Sequence, residues 1–129
     1  MLVYTPFSDF NGIDFIEYQV CDVFSACTSA EVEIQISPIN DQPFADAASI
    51  SITEDEATEG NLEVLVNHVD NEPLFYGTML SPINGQVVIQ NTGAFTYTPN
   101  NNFFGTDQFT YLVCDLVGAC DSASITITV

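Results

Sequence analysis

Residues 96–129, TYTPNNNFFGTDQFTYLVCDLVGACDSASITITV, decide the fold because a similar stretch occurs earlier in the chain. The earlier copy covers residues 3–36 and reads VYTPFSDFNGIDFIEYQVCDVFSACTSAEVEIQI. The two copies align without a gap at an offset of 93 residues. The matching pairs include Tyr4 and Tyr97, Pro6 and Pro99, Gly12 and Gly105, Asp14 and Asp107, Tyr18 and Tyr111, and Asp22 and Asp115. Self-similarity at a fixed period is the sequence signature of a repeat architecture, which predicts one complete and one partial copy of a repeat of about 93 residues.

The cysteines of the chain fall at matching positions of the two copies, as Cys21 and Cys27 and as Cys114 and Cys120. Both pairs have the spacing C-x5-C, which differs from the C-x2-C spacing of zinc sites and thioredoxin-like motifs. An even number of cysteines in a repeated frame predicts one disulfide within each copy. Because disulfides persist in oxidising compartments, the pairs also predict an extracellular or cell-surface location.

The chain contains no lysine or arginine and 18 acidic residues, so its formal net charge is −18. Binding to nucleic acid requires a basic surface, and no nucleic-acid partner is expected. The chain is 47% hydrophobic and contains ten Phe and five Tyr, whereas disordered acidic tails are poor in aromatic residues. Repulsion among so many carboxylates has to be relieved by solvent, by salt or by bound cations.

The first residues, MLVYTPFSDF, have neither the basic nor the apolar segment of a signal peptide. No run of about 18 apolar residues occurs, so no membrane insertion is expected. Since the cysteine pairs predict export, we expect further sequence upstream of Met1.

Alternating apolar and polar residues mark the strands of the predicted fold. In each copy two strands flank a short turn bounded by the cysteines, which predicts a hairpin. Asn84-Gly85 is a further hairpin-turn signal, and no stretch has convincing helical periodicity. The predicted strands are 15–20, 30–36, 49–53, 62–66, 75–80, 87–90, 94–98, 108–113 and 122–129. About seven strands in the last 90 residues or so predict an all-β sandwich.

The segment SPINDQPFA, residues 37–45, interrupts the alternation and has a proline on each side of Asn40 and Asp41. Proline stiffens such linkers, and we place a domain boundary here. Residues 1–39 are predicted to be the incomplete C-terminal part of one repeat, and residues 40–129 a complete repeat. The incomplete copy would leave an apolar face open, which either upstream strands or another subunit would complete.

The second copy resembles the cadherin-like and Ig-like tandem repeats of large bacterial extracellular adhesins, the calcium-binding extender type. These repeats share a G-x-F-x-Y-x-P segment, an F-x-G-x-D-x-F-x-Y-x-V-x-D segment and a P-x-N-D-x-P linker. The matching residues are Gly93, Phe95, Tyr97, Pro99, Phe103, Gly105, Asp107, Phe109, Tyr111, Val113 and Asp115. The resemblance implies a Greek-key β-sandwich, head-to-tail neighbours and Ca²⁺ near the junctions, and it does not imply catalysis. The cysteine pair departs from most such repeats and suggests a disulfide-containing subgroup.

Calcium binds six to eight oxygen ligands, and the acidic loops supply candidates for it. The predicted metal ligands are Asn40 and Asp41 in the linker, Glu54, Asp55 and Glu56 in a first acidic loop, and Asp70 and Glu72 in a second acidic turn. Asp70-Asn71-Glu72 resembles the D-x-E motif of cadherin repeats, and Asn40-Asp41 resembles their N-D linker motif. In a sandwich these segments could converge at one end. The alternative is that the acidic loops are simply solvated.

Most of the other notable polar residues are predicted to have structural roles, and two of them have two possible roles. Asp14 and Asp107 follow a glycine turn and are expected to accept hydrogen bonds from loop N–H groups rather than to bind a metal. Asp22 and Asp115 either shape the hairpin turn or join a junction site. His68 is the only histidine, so no triad or zinc site is expected, and it is interpreted as a surface or core-filling residue.

These patterns predict a non-enzymatic repeat of an extracellular adhesin or surface fibre, which acts as a calcium-stiffened spacer closed by disulfides. Its expected partners are neighbouring repeats. A first alternative is a subunit of a self-assembling extracellular filament, in which a neighbouring identical chain completes the partial repeat. A second alternative is a carbohydrate- or surface-binding module, and a third is an accessory domain of an enzyme.

Overall fold

The structure is a computed structural model that describes residues 1–70 and 72–129. The chain divides into two units, Met1–Asn40 (unit 1) and Asp41–Val129 (unit 2). The described residues form eleven strands and one short 3-10 helix. No helix in this part of the chain is long and apolar enough to cross a membrane.

Unit 1 contains one antiparallel hairpin, formed by β1 (Gly12–Cys21) and β2 (Cys27–Ile36). Its register pairs Gly12 with Ile36 at one end and Cys21 with Cys27 at the other. The disulfide between Cys21 and Cys27 therefore closes the hairpin at the last pair of residues before the turn. Both strands are longer than predicted because their pairing continues up to the cysteines.

Unit 2 is a β-sandwich built from a four-stranded and a three-stranded sheet, with a two-stranded pair beside them. Its strands are β3 (Phe44–Ala45), β4 (Ala48–Ser51), β5 (Thr58–Asn61), β6 (Val66–Asn67), β7 (Phe75–Leu80), β8 (Gly85–Ile89), β9 (Ala94–Pro99), β10 (Thr106–Cys114) and β11 (Cys120–Thr128). The larger sheet has the order β4-β11-β10-β7, the smaller one the order β5-β9-β8, and β3 pairs with β6. This division of strands is that of an Ig-like sandwich, and the prediction of an all-β sandwich is confirmed.

The core lies between the inward faces of the two sheets. Phe95 on β9 and Phe109 on β10 pack across it with ring centroids 5.4 Å apart. Every second residue of β10 from Asp107 to Val113 is buried, as the period of two along a strand requires. The side chains with almost no exposure are Tyr97, Tyr111, Phe109, Leu62, Ile125, Ile127, Val113 and Pro43.

The two closing hairpins have the same register but different burial. Cys114 pairs with Cys120 at the neck of β10–β11, as Cys21 pairs with Cys27 at the neck of β1–β2. Tyr111 is fully buried in unit 2, whereas Tyr18, which occupies the matching position of unit 1, is 48% exposed. Because the two hairpins are so similar, the difference comes from the strands β3–β9, which cover β10–β11 and have no counterpart among the described residues of unit 1.

The prediction of a strand over 62–66 is wrong. Residues Leu62–Leu65 form a 3-10 helix, and only Val66–Asn67 continue as a short strand. The reason is local: the side chain of Asn61 accepts a hydrogen bond from the backbone N–H of Glu63 at 2.9 Å and caps the helix. The helix lets Leu62 reach the core, where it has no solvent exposure.

The strand β5 was not among the predicted strands, because Thr58–Asn61 has no alternation of apolar and polar residues. Its position depends on Gly60, because a Cβ atom there would lie 2.5 Å from the ring of Phe95. In the sequence, a glycine within an acidic segment indicates a turn. The fold shows instead that the glycine is needed because the strand passes close to Phe95. Asn71, which belongs to the predicted second acidic turn, lies outside the described residues.

Candidate metal centre

The strand β11 defines two ends of unit 2. Gln42 donates its side-chain N–H to the carbonyl of Cys120, at the start of β11, with a distance of 3.0 Å. We call this the entry end, because the unit begins here. Ile52, just after β4, donates its backbone N–H to the carbonyl of Thr128 at 2.9 Å, at what we call the exit end. The eight steps between the nine residues of β11 separate the two ends by about 27 Å, at about 3.4 Å per step.

Three of the predicted metal ligands lie at the entry end, one in the linker and two on the segment that follows the 3-10 helix. The backbone N–H of Asp41 donates to Oδ2 of Asp70 at 2.6 Å. The backbone N–H of Glu72 donates to the carbonyl of Asp70. Asp41, Asp70 and Glu72 are thus held close together. Asn40 is the last residue of unit 1 and is exposed.

The other three predicted ligands, Glu54, Asp55 and Glu56, are exposed residues at the exit end. Asp55 adopts a positive φ of 63° and accepts a hydrogen bond from the backbone N–H of Asn102 at 2.7 Å. The expected convergence of all acidic segments at one end of the sandwich is therefore wrong within unit 2. Since β4 and β11 run parallel, the loop after β4 lies at the end opposite to the Cys114–Cys120 turn.

Two residues outside the predicted set complete the group at the entry end. Single ligand atoms of His68, Glu72 and Asp115 all lie within 4.8 Å of one another. Nε2 of His68 lies 3.1 Å from the carbonyl oxygen of Asp41. Because a carbonyl only accepts, Nε2 carries the proton of that hydrogen bond. Oε1 of Glu72 is shielded from solvent and has no hydrogen-bond partner among the described residues.

Asp115 is 4% exposed and is held by the turn that follows β10. Its Oδ1 accepts hydrogen bonds from the backbone N–H groups of Val117, at 3.0 Å, and Ala119, at 2.8 Å. The disulfide between Cys114 and Cys120 closes the same turn. Asp115 therefore shapes the turn, and it also faces His68 and Glu72.

The matching turn of unit 1 is built in the same way. Oδ1 of Asp22 accepts from the backbone N–H groups of Phe24, at 2.8 Å, and Ala26, at 3.0 Å. Both aspartates thus shape their hairpin turns, which was one of the two roles left open. Unit 1 contains no histidine, so the cluster around Asp115 has no equivalent there.

The entry end suits a cation better than it suits any other ligand. Four carboxylate side chains, from Asp41, Asp70, Glu72 and Asp115, lie there in a chain with no lysine or arginine to balance them. Carboxylate oxygens and backbone carbonyls are ligands of Ca²⁺. The imidazole of His68 is not a preferred calcium ligand, since nitrogen ligands suit zinc and other transition metals. The donor set is therefore mixed.

The sequence did not predict that His68 and Asp115 lie beside Glu72, and the reason is physical. A lone histidine carries no metal signal, and Asp115 is far from both in sequence. The signal in the sequence is local: His68 lies two residues before Asp70 and four before Glu72, directly before the predicted acidic turn. Only the fold brings the Cys114–Cys120 turn against that segment.

The second buried carboxylate of unit 2, Asp107, is fully engaged in structure. Its oxygens accept hydrogen bonds from the backbone N–H groups of Ile83, Asn84 and Gln108 and from the hydroxyl of Tyr97, at 2.8–3.1 Å. The prediction that Asp107 binds loop N–H groups is confirmed. Burial and the bond to Asp107 raise the pKa of Tyr97 far above its ordinary value.

The comparisons with known proteins agree with this architecture. One solved structure with a similar fold is the endo-fucoidan hydrolase MfFcnA9 from glycoside hydrolase family 107, with a TM-score of 0.53 and 16% identity. The match covers 97% of this chain and 23% of that chain. A second enzyme of that family, MfFcnA4, has a TM-score of 0.48 and 15% identity, over 96% of this chain and 20% of that chain. At these identities the likeness concerns the fold alone.

No curated protein sequence matches the chain. The family model described as bacterial Ig domain matches residues 40–128. This family and the two disulfides point toward an extracellular or surface protein. The chain belongs to the bacterial Ig domain family.

Proposed function

We propose that the chain is a spacer segment of an extracellular adhesin or surface fibre, in which such repeats follow one another head to tail. The observation that carries the proposal is the arrangement of the terminal strands of unit 2. The chain enters the unit beside the start of β11 and leaves it at the end of β11, about 27 Å away. Units with their termini at opposite ends extend a fibre by their full length when they are linked in series.

The same strands are placed to resist tension along the fibre. β4, near the start of unit 2, and β11, at its end, pair in parallel from Ile125 with Ala48 to Thr128 with Ser51. Pulling the termini apart draws β4 toward the entry end and β11 toward the exit end. The hydrogen bonds of this parallel pair are then loaded together in shear, and they cannot open one at a time.

Calcium stiffening is the second part of the proposal. The linker residues Asn40 and Asp41 and the carboxylate of Asp70 supply oxygen ligands at the entry end, and Glu54, Asp55 and Glu56 supply them at the exit end. In a head-to-tail array the exit end of one repeat faces the entry end of the next, so the two acidic groups become neighbours. A shared Ca²⁺ would remove their mutual repulsion and restrict bending at the junction.

An observation in unit 1 supports a filament or multi-repeat setting over an isolated module. Tyr18 and Val20, which lie on one face of β1, are 48% and 57% exposed, whereas their counterparts Tyr111 and Val113 are fully buried. An apolar hairpin face of this kind needs strands equivalent to β3–β9 to cover it.

The spacer proposal is tested by small-angle scattering on chains that contain two, three and four copies of residues 37–129. We expect the maximum dimension to grow by a constant increment of roughly 30–40 Å per repeat, which is the length of β11 with its two loops. A maximum dimension that stays constant, or repeats that pack side by side, would contradict it.

The proposal that calcium stiffens the junctions is tested separately on the same samples. Chelation is expected to lower the melting temperature and to broaden the distribution of maximum dimensions. Identical melting and scattering curves with and without Ca²⁺ would reject calcium stiffening and leave the spacer proposal intact. A glycan array on the two-repeat chain addresses the alternative of a carbohydrate-binding module, since a spacer binds none of the sugars.

A further inference from the structure

We propose that His68, Glu72 and Asp115 form a binding site for a divalent transition-metal ion of the zinc class at the entry end of unit 2. The site goes beyond calcium stiffening, because it uses a nitrogen ligand and selects a different class of ion. It lies wholly within one unit, whereas the proposed calcium ligands are shared between neighbouring repeats.

The donor set consists of ligand types that zinc binds. It offers one imidazole nitrogen and two carboxylates, and zinc is bound in proteins by histidine nitrogen and by aspartate and glutamate oxygen. Ligands of a tetrahedral zinc ion lie about 3.4 Å from one another, given bonds of about 2.0–2.1 Å. The three ligand atoms lie within 4.8 Å here, so small side-chain rotations bring them to that distance.

The hydrogen bond of His68 places a hydrogen on Nε2. Nε2 donates to the carbonyl of Asp41, which leaves the lone pair of Nδ1 available when the ring is neutral. Metal-bound histidines typically donate their other ring N–H to a backbone carbonyl or a carboxylate in this way. A cation bound between His68, Glu72 and Asp115 also offsets the negative charge of the two carboxylates.

Glu72 supplies an independent observation. Its Oε1 is shielded from solvent and accepts no hydrogen bond from the described residues. A buried carboxylate oxygen without a partner is costly, and the chain has no lysine or arginine that could neutralise it. A bound metal ion is the group that satisfies this oxygen.

Asp115 is positioned before any metal binds. Two backbone N–H groups hold its Oδ1, and the Cys114–Cys120 disulfide closes the turn around it. Because the turn fixes the carboxylate, binding a metal costs little side-chain order at this ligand. Asp22 sits in the same turn of unit 1 without a histidine nearby, and it therefore serves as the matched control.

The experiment uses the intact chain with both disulfides formed, so that cysteine thiols do not compete for the metal. The metal-free protein is titrated with Zn²⁺ by calorimetry and with Co²⁺ by visible absorption, and the ring signals of the single histidine are followed by NMR. We expect one Zn²⁺ to shift the ring signals of His68 at saturation. His68→Ala and Glu72→Gln should each lower the Zn²⁺ affinity at least about tenfold, while Asp22→Asn leaves it unchanged.

Several outcomes overturn the proposal, and folding of each variant is checked by circular dichroism. Zn²⁺ affinity that is equal in His68→Ala and the unchanged chain shows binding to surface carboxylates only. Ring signals that respond to pH but not to Zn²⁺ show a protonated histidine paired with the carboxylates. Calcium stiffening is judged separately, because its effect on melting should persist in His68→Ala.

Discussion

Tyr97 donates its hydroxyl to Oδ2 of Asp107 at 2.8 Å, and both residues are buried in unit 2. The bond joins the two sheets of the sandwich, since Tyr97 lies on β9 and Asp107 on β10. At the matching positions of unit 1, Tyr4 donates to Oδ2 of Asp14 at 2.7 Å. The same pair thus occurs twice, once in a covered core and once on a hairpin without a second sheet.

Replacing Tyr97 by Phe should destabilise unit 2 by about 1–3 kcal/mol, because it leaves a buried carboxylate oxygen with one donor fewer. Tyr4→Phe is the control, since the Tyr4–Asp14 bond is only partly buried and should contribute much less. Urea unfolding, followed for each variant on signals of the unit that carries the substitution, measures both. An equal loss of stability in the two variants would show that burial does not determine the strength of this pair.

Gly85→Ala should destabilise unit 2 by about 1–3 kcal/mol through overpacking. A Cβ at Gly85 would lie 2.5–2.6 Å from the hydroxyl and ring atoms of Tyr97, so the ring that binds Asp107 has to move. Gly77→Ala is the matched control in another strand, because a Cβ there meets no atom within 4 Å. The two variants are compared by thermal unfolding, and equal melting temperatures would contradict the close packing of Gly85 against Tyr97.

Unit 2 should lose stability as the pH rises from about 10 to about 12. Burial, and then the nearby charge of Asp46, raise the pKa of Tyr111 from 10.0 to about 12. The folded state therefore keeps the phenol protonated in a pH range where the unfolded chain ionises. The contribution is complete below pH 10.0 and is lost as the pH passes 12. Urea unfolding of the unchanged chain and Tyr111→Phe across this range measures it, and parallel pH profiles would contradict the assignment.

Removing the Cys114–Cys120 disulfide by a double substitution to serine should lower the stability of unit 2 by about 2 kcal/mol, the value expected for a short loop. The same change should weaken Zn²⁺ binding, because the turn that fixes Asp115 becomes mobile. The double substitution of Cys21 and Cys27 is the control and should leave the melting of unit 2 unchanged. Loss of zinc binding in the control as well would place the metal outside the entry end.

The alternation of apolar and polar residues was enough to predict the sandwich. Phe75–Leu80 forms a strand with the bounds that the alternation indicated, and the other long strands differ only at their ends. The strand prediction for residues 62–66 was wrong, because the apolar run is equally compatible with a strand and with a short helix that inserts Leu62 into the core. A capping residue such as Asn61 decides between them, and its effect depends on the neighbouring turn at Gly93, whose carbonyl accepts from the N–H of Leu62.

Only part of the candidate site could be predicted from the sequence. Acidic segments can be recognised by composition, but their placement depends on which strands run parallel. The parallel pairing of β4 and β11 separates Asp55 from Asp70 by the length of the sandwich, and alternation alone carries no information on strand direction. The contact of His68 with Asp115 likewise depends on where the Cys114–Cys120 turn lies in the fold.

The central claim is that unit 2 is built to carry tension along a fibre, and force spectroscopy tests it most directly. Handles at residue 41 and at Val129 load β4 and β11 in shear, whereas handles at Thr53 and Val129 pull both strands from the exit end and open their hydrogen bonds one at a time. We expect the unfolding force to be clearly higher in the first geometry. An equal or lower force in the first geometry would contradict the mechanical role of the terminal strands.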